Sequence, residues 1–228
     1  MRVLLFGATG MVGQGVLRAC LEAPDVTLVQ TVGRNPTGAR QDKLREVVHQ
    51  DLMDYGPIEE DLRGYDACFF CLGVSSFGMK EEDYARITYD LTLAAARVLA
   101  RLNPEMTFIY VSGAGTDDSE RGPIMWARVK GRTENALRGL PFEAVHLFRP
   151  GIIQPVHGAR SKTGAYRVFY ALARPVLSPL RTLFPGAILT TEAVGLAMLA
   201  VARHGADRAV LEGRDIHEAA TRPRPAAD

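Results

Sequence analysis

Residues 1–13 read MRVLLFGATGMVG and decide the fold of this chain. Val3–Phe6 is a short apolar run typical of a buried strand. Three glycines follow it at intervals of three residues: Gly7, Gly10 and Gly13. The pattern predicts a strand, a tight turn and a helix over Gln14–Leu21, whose free backbone N–H groups face the turn. Such a turn binds the pyrophosphate of a dinucleotide, because the N–H groups and the helix dipole both favour an anion.

Each glycine has its own role in a turn of this kind. Gly7 makes the turn, Gly10 lets the backbone approach the phosphates, and Gly13 lets the helix pack closely on the strand. The residues predicted to contact the dinucleotide through this turn are Gly7, Thr9, Gly10, Met11, Val12 and Gly13. A glycine-rich turn that serves packing alone is the alternative.

The composition is that of an ordinary globular protein. The chain has 228 residues, of which 47% are hydrophobic and 23% charged, enough for one sizeable core. A formal net charge of +1 favours neither a nucleic-acid partner nor an acidic surface. Met1 leads directly into the first strand without an apolar leader, so we expect a cytoplasmic protein.

Short apolar runs alternate with helical stretches along the chain. The predicted strands are Val3–Phe6, Thr27–Val32, Glu46–His49, Ala67–Leu72, Thr107–Val111, Ala144–Phe148 and, as a seventh, Ala209–Glu212. This alternation is typical of an α/β fold with a Rossmann-type, doubly wound parallel sheet. We expect a single domain over residues 1–215, with a cap-like insertion at about 151–190 over the carboxyl edge of the sheet, and a tail over 216–228.

Two helical stretches have clear patterns. Glu81–Leu102 has an apolar stripe that predicts one long helix covering the sheet. The residues of this stripe are Tyr84, Ile87, Leu91, Ala94, Ala95, Val98 and Leu102. Glu192–His204 is a later helix, with Thr190 or Thr191 as its N-cap and Gly205 after its last residue.

The stretch Gly151–Pro185 has no strand-like alternation and mixes basic with aromatic and apolar residues. We interpret it as a cap over the edge of the sheet where α/β folds bind their ligands. A helix lying on a membrane surface is the alternative, but Pro175, Pro179 and Pro185 interrupt the stretch, so we do not expect membrane contact.

Cysteines and histidines do not indicate a metal or redox site. Cys68 and Cys71 are three residues apart in a predicted strand, so their side chains point to opposite faces of the sheet. The five histidines are scattered without the spacing of metal ligands.

The end of the second strand indicates which dinucleotide is bound. Arg34 lies about twenty residues after the last glycine of the turn, where NAD-specific folds place an acidic residue on the ribose. An arginine there favours the 2′-phosphate of NADP(H) over NAD(H), and a solvated surface arginine is the alternative. Asp51 follows the third strand and is predicted to contact the adenine, with a role in a turn as the alternative.

Taken together, these segments resemble the short-chain dehydrogenase/reductase superfamily in its atypical, epimerase-like branch. The segments that carry the resemblance are GATGMVG, Arg34, Asp51-Leu52, CLGVSS after the fourth strand, YVSGAG after the fifth, VKG at Val129–Gly131 and RPG at Arg149–Gly151. The resemblance covers residues 1–215 and rests on the order and spacing of the segments. It implies further cofactor contacts at Leu52, Leu72, Gly73 and Lys130.

The resemblance also implies catalytic roles. In that family a serine polarises a substrate carbonyl, a tyrosine exchanges the proton, and a lysine four residues later binds the nicotinamide ribose. Ser112 and Lys130 match the serine and the lysine, whereas Trp126 occupies the tyrosine position. An indole N–H is a donor only and does not exchange its proton during catalysis. The usual acid is therefore missing.

Two functions remain open at this point. The first is an NADP(H)-dependent oxidoreductase or epimerase acting on a small carbonyl substrate. The second is a protein without catalytic activity that binds NADP(H) and controls a protein partner. The resemblance also implies a possible homodimer through the stretches Glu81–Leu102 and Gly122–Arg138.

Overall fold

The strands of the computed structural model, which describes residues 1–159 and 186–222, fall close to the predicted runs. They are β1 (Arg2–Phe6), β2 (Leu28–Gly33), β3 (Leu44–Val48), β4 (Ala67–Phe70), β5 (Thr107–Val111), β6 (Ala144–Arg149), β7 (Ile152–Gln154), β8 (Ile188–Thr190) and β9 (Val210–Glu212). The third strand begins two residues earlier than predicted, and the fourth ends two residues earlier.

Seven of these strands form one sheet in the order β3-β2-β1-β4-β5-β6-β9, and every neighbouring pair is parallel. The predicted Rossmann-type fold is therefore confirmed. The strand order reverses between β1 and β4, and the crevice at the carboxyl ends of these two strands is where such folds bind their ligands. In the described part of the chain, β7 and β8 form a separate parallel pair.

Helices cover both faces of the sheet. They are α1 (Met11–Glu22), a 3-10 helix (Gly56–Leu62), α2 (Glu81–Ala85), a π-helical turn (Arg86–Asp90), α3 (Leu91–Leu102), α4 (Met125–Arg138), α5 (Thr191–His204) and α6 (Gly213–Thr221). In β1, Val3 and Leu5 pack on one face with α1, α5 and α6, while Leu4 and Phe6 pack on the other with the 3-10 helix and α3. Burial on both faces explains why residues 3–6 of the strand are an unbroken apolar run.

The stretch predicted as one long helix is interrupted by the π-helical turn. A π turn holds more residues than an α turn, so it rotates the residues that follow it. The buried face is accordingly shifted by one residue: Thr88 and Thr92 are buried, whereas Ile87, predicted to be in the stripe, is 38% exposed. The predicted stripe was therefore wrong at Ile87, whereas Ala95 is buried and the other later members of the stripe pack partly buried against the core.

Small residues bring α1 and α5 close together. A Cβ on Gly15 would lie 2.6 Å from the Thr191 Cβ, and a Cβ on Gly195 would lie 2.8 Å from the Ala19 Cβ. The Thr190 hydroxyl accepts a hydrogen bond from the Ala193 N–H at 2.9 Å, so the predicted N-cap of α5 is confirmed. This packing fixes α1, and with it the glycine turn, on the sheet.

Two predictions near the C-terminus need correction. The stretch Gly151–Pro185 contains β7, although no strand was predicted there, and its residues 160–185 lie outside the described part of the chain. The predicted boundary between domain and tail, at residue 215, falls inside α6, where Ile216 and Ala219 are buried in the core. Helix α6 therefore belongs to the domain.

None of the helices in the described ranges is long and apolar enough to span a bilayer.

Candidate functional site

The glycine turn between β1 and α1, residues 7–13, is called the cradle below. Side chains at its glycines would fill the space beside the backbone. Gly7 has a φ of +82°, and a Cβ on it would lie 2.7 Å from the Cys71 backbone carbon at the end of β4. A Cβ on Gly13 would overlap the carbonyl oxygen of Gly7. Both positions therefore require glycine, as the sequence predicted.

Helix α1 begins inside the motif, at Met11 rather than at the predicted Gln14. Gly10 is its N-cap residue, and no side chain caps the helix there. The first turn also contains no acidic residue, so an anion meets no like charge. The first-turn N–H groups, which belong to Met11, Val12 and Gly13, have no side-chain cap and suit a pyrophosphate.

The loop after β2 lies beside this cradle. Arg34 is exposed, and its side chain forms no ion pair within the described residues. Its backbone carbonyl accepts a hydrogen bond from Gln50 Nε2 at 2.9 Å. Glu46 holds the same loop by accepting hydrogen bonds from the N–H and hydroxyl of Thr37, each at 2.6 Å. These hydrogen bonds hold in place the loop that carries Arg34.

A groove of about 730 Å³ adjoins this loop. It is lined by residues of the glycine turn, α1 and the loop after β2, among them Thr9, Gln14, Asn35 and Thr37. The cradle and the Arg34 loop are therefore neighbours, as a dinucleotide that reaches from pyrophosphate to adenosine requires.

The remaining predicted cofactor residues differ in their surroundings. Asp51 Oδ1 accepts a hydrogen bond from the Met53 N–H at 2.9 Å, so Asp51 has the turn role that the sequence allowed as the alternative. The Leu52 side chain is buried in the core with the 3-10 helix. Leu72 is half-buried and Gly73 exposed in the segment after β4, next to the glycine turn.

The three residues matched to the family's catalytic positions lie together at the carboxyl end of β5. Lys130 Nζ donates to the Ser112 carbonyl at 2.8 Å and lies 3.5 Å from the Val111 carbonyl. The Trp126 indole lies 3.7 Å from the point where a Cβ on Gly115 would sit, against the loop that follows Ser112.

The Ser112 hydroxyl does not match its expected role. It donates to Glu134 Oε1 at 2.5 Å and lies 3.1 Å from the Phe148 carbonyl. A serine has one proton to donate, so Ser112 has none left for a substrate carbonyl in this arrangement. The role of Ser112 in polarising a carbonyl stays a prediction, and it requires this hydrogen bond to rearrange.

The sequence interpretation missed the ion pair behind this serine. Glu134 is fully buried, and its Oε2 accepts from Arg149 Nη2 at 2.5 Å. Arg149 appeared only as part of the RPG segment. Glu134 lies one helical turn after Lys130 on the same face of α4, which is the signal that identifies it.

Lys130 lies in an unusual environment for a lysine. Its Nζ is 5.7 Å from the centre of the Tyr110 ring, and the side chain is half-buried. Removal from water lowers the Lys130 pKa to about 8, while the charge of Glu134 acts in the opposite direction. In the part of the chain that the structure describes, Lys130 belongs to no salt bridge, since Glu134 is paired with Arg149.

Other sulfur and phenol groups near the site belong to the core. Cys68 and Cys71 pack on opposite faces of the sheet, as predicted, and both thiols are unpaired. Tyr84 and Tyr110 are buried, and burial raises the pKa of each. Neither tyrosine replaces the missing acid.

Solved structures confirm the fold. The chain is similar to the Bordetella bronchiseptica enzyme WbmF in complex with NAD+, with a TM-score of 0.67 and 15% identity over 95% of this chain and 76% of that one. It is also similar to a UDP-N-acetylglucosamine 4-epimerase from Methanobrevibacter ruminantium M1, with a TM-score of 0.66 and 14% identity over 92% and 74% of the two chains.

Sequence relatives correct the predicted location. Protein fmp52-1, mitochondrial, from Aspergillus terreus is 32% identical over 160 residues, which cover 66% of each chain. Protein HTATIP2 from Rattus norvegicus is 27% identical over 154 residues, 66% of this chain and 62% of that protein. The chain thus spans about two thirds of the length of such relatives. The prediction of a cytoplasmic protein is contradicted by the mitochondrial names of the fungal relatives.

The family match covers the cradle, the Arg34 loop and all of α4. A family described as NAD(P)H-binding matches residues 7–139, more than half of the chain. Together with the parallel sheet and the ordered segments after its strands, this match agrees with the resemblance drawn from the sequence. The chain belongs to this NAD(P)H-binding family.

Proposed function

We propose that this protein binds NADP(H) in preference to NAD(H) and acts as an oxidoreductase on a small carbonyl compound. The observation that carries the proposal is the uncapped start of α1 beside the exposed Arg34. The glycine turn fits a pyrophosphate, and a guanidinium without an ion-pair partner in the described residues fits a 2′-phosphate.

Different residues of the chain have different roles in such a reaction. Gly7, Gly10 and Gly13 admit the pyrophosphate, while Arg34 selects the phosphorylated ribose. Lys130 binds the nicotinamide ribose, and Trp126 offers an aromatic face and one N–H donor. Bound NADPH supplies the hydride for the carbonyl carbon. Because the Ser112 hydroxyl donates its proton to Glu134, its oxygen serves as a hydrogen-bond acceptor for bound ligands.

One observation favours a second function. The Ser112 hydroxyl is engaged inside the protein and Trp126 replaces the usual acid, so two of three family positions lack their expected chemistry. This favours a protein that binds NADP(H) without turnover and controls a protein partner through its bound state.

Measuring NADPH binding beside NADPH oxidation separates the two functions. The purified protein is titrated with NADPH by calorimetry, and NADPH oxidation is followed with a panel of aldehydes, ketones and quinones. An oxidoreductase binds and oxidises NADPH with at least one class of carbonyl. Tight binding without any turnover contradicts the first function and supports the second.

A further inference from the structure

We infer that Lys130 is itself the proton donor to the substrate oxygen, in a role that rests on the carbonyl reduction proposed above. The family's lysine is expected to bind ribose beside a tyrosine. Here the tyrosine position is Trp126, and the surroundings of the lysine carry the further assignment.

The position of the ammonium group is the first observation. Lys130 Nζ lies at the carboxyl end of β5, within 2.8 Å of the Ser112 carbonyl and 3.5 Å of the Val111 carbonyl. An ammonium has three N–H groups, and two carbonyl acceptors engage at most two of them. The Val111 carbonyl at 3.5 Å is at the limit of a hydrogen bond, so the Ser112 carbonyl fully engages one N–H. Two N–H groups therefore remain at the edge where ligands bind in this fold, one for the ribose and one for the substrate oxygen.

The lack of a competing donor is the second observation. The Trp126 indole does not transfer its proton. The Ser112 proton is held by Glu134, and Tyr110 is buried with a raised pKa. Of the four groups Trp126, Ser112, Tyr110 and Lys130, Lys130 is left as the one with a transferable proton.

The charges around Lys130 make that transfer feasible. The Tyr110 ring faces Nζ from β5, and Glu134 lies one turn further along α4. The Glu134 charge is matched by Arg149, which also lies 3.6 Å from Asp118 and from Glu212. Lys130 thus has no carboxylate of its own in the described ranges. Burial lowers its pKa to about 8, near the value at which a general acid works best at neutral pH.

In the proposed step the substrate carbonyl receives a proton from Lys130 and a hydride from NADPH. An N–H bond of the Lys130 ammonium breaks and an O–H bond forms on the substrate oxygen, while the carbonyl carbon accepts the hydride. The carbonyl is reduced to an alcohol by two electrons that the oxidation of NADPH to NADP+ supplies. The neutral amine then takes a proton from water.

Lys130→Arg and Lys130→Met test this step. Arginine keeps a positive charge for the ribose but does not release its proton near neutral pH, so NADPH affinity by calorimetry should change little while kcat falls by about 10²–10⁴-fold. Methionine should also weaken NADPH binding. The wild-type kcat/KM should fall as pH rises above about 8, because the acid is then deprotonated, and this fall should be absent in any residual Lys130→Arg activity.

Competitive labelling of the wild-type amines against pH gives a second readout that needs no variant and no turnover. It should report a Lys130 pKa well below that of ordinary lysines. A labelling pKa near 10.5, or Lys130→Arg turnover equal to that of the wild type, overturns the inference. If labelling shows the lowered pKa but no carbonyl is reduced, the proposed oxidoreductase function fails, and this role fails with it.

Discussion

Trp126 is the residue at which this chain departs most from the superfamily that its sequence resembles. Its indole lies against the loop after β5, one helical turn before Lys130. Ser112 and Lys130 keep their identities, yet their polar atoms are bonded to Glu134 and to a backbone carbonyl. The glycine turn therefore keeps the pattern of the family, whereas the residues at the proton-transfer positions differ from it in identity or in bonding.

Trp126→Tyr should raise carbonyl turnover, because it adds a hydroxyl whose pKa the neighbouring Lys130 lowers. The gain should be a measurable part of the about 10²–10⁴-fold that general acid catalysis contributes. NADPH affinity should stay nearly unchanged. NADPH oxidation with a responsive carbonyl checks the gain, and Trp126→Phe, which has no hydroxyl, is the control. Fast wild-type turnover that tyrosine does not improve would show that Trp126 has no influence on the proton.

At the scale of elements, the cradle depends on how closely α1 approaches β1. Gly13→Ala should weaken NADPH binding and lower the free energy of unfolding by about 1–3 kcal/mol, since the new methyl group overlaps the Gly7 carbonyl and forces the helix away. Calorimetry and urea unfolding measure the two effects. Gly33→Ala is the matched control, because a Cβ there meets nothing within 4 Å. Equal NADPH affinities and equal free energies of unfolding for the two variants would contradict the role given to the close contact at Gly13.

The buried ion pair joins α4 to β6 and should stabilise that junction. Glu134→Gln leaves the Arg149 guanidinium, which is only 11% exposed, without its main partner. Loss of one member of a buried pair costs about 3–5 kcal/mol, and Asp118 and Glu212 at 3.6 Å offset part of that loss. Urea unfolding measures the net loss of stability in Glu134→Gln. The control is Glu81→Gln, which removes the carboxylate of the more exposed ion pair with Arg128. A loss no larger than that of the control would show that the pair contributes little.

At the scale of the whole molecule, stability should depend on pH through His146. Burial lowers the His146 pKa below 6.5, and its Nε2 has no hydrogen-bond partner. The unfolded chain therefore binds a proton more readily, so the stability that His146 provides is present above pH 6.5 and is lost as pH falls through the folded-state pKa. Melting temperatures above and below pH 6.5 should show a smaller acid loss for His146→Gln than for the wild type. The exposed His204→Gln should behave like the wild type.

The sheet was predictable because strand residues covered on both faces are apolar, as they are in β4 and at residues 3–6 of β1. The cradle was predictable because glycine at fixed spacing has a steric cause. The π-helical turn was not, since its wider hydrogen-bond pattern depends on the packing of Thr88 and Thr92 rather than on propensity. The engagement of Ser112 was also missed, because it requires β5, α4 and β6 to meet in three dimensions.

Titration of the wild-type protein and of Arg34→Asp with NADPH and NADH by calorimetry tests the central claim most directly. We expect the wild type to bind NADPH more tightly, because the Arg34 guanidinium matches the 2′-phosphate. In Arg34→Asp the order should reverse, since a carboxylate repels that phosphate and accepts a hydrogen bond from the 2′-hydroxyl. Arg97→Asp, the same change at an exposed position on α3, should keep the wild-type order. Equal wild-type affinities for the two dinucleotides, or an unchanged preference in Arg34→Asp, would contradict this account.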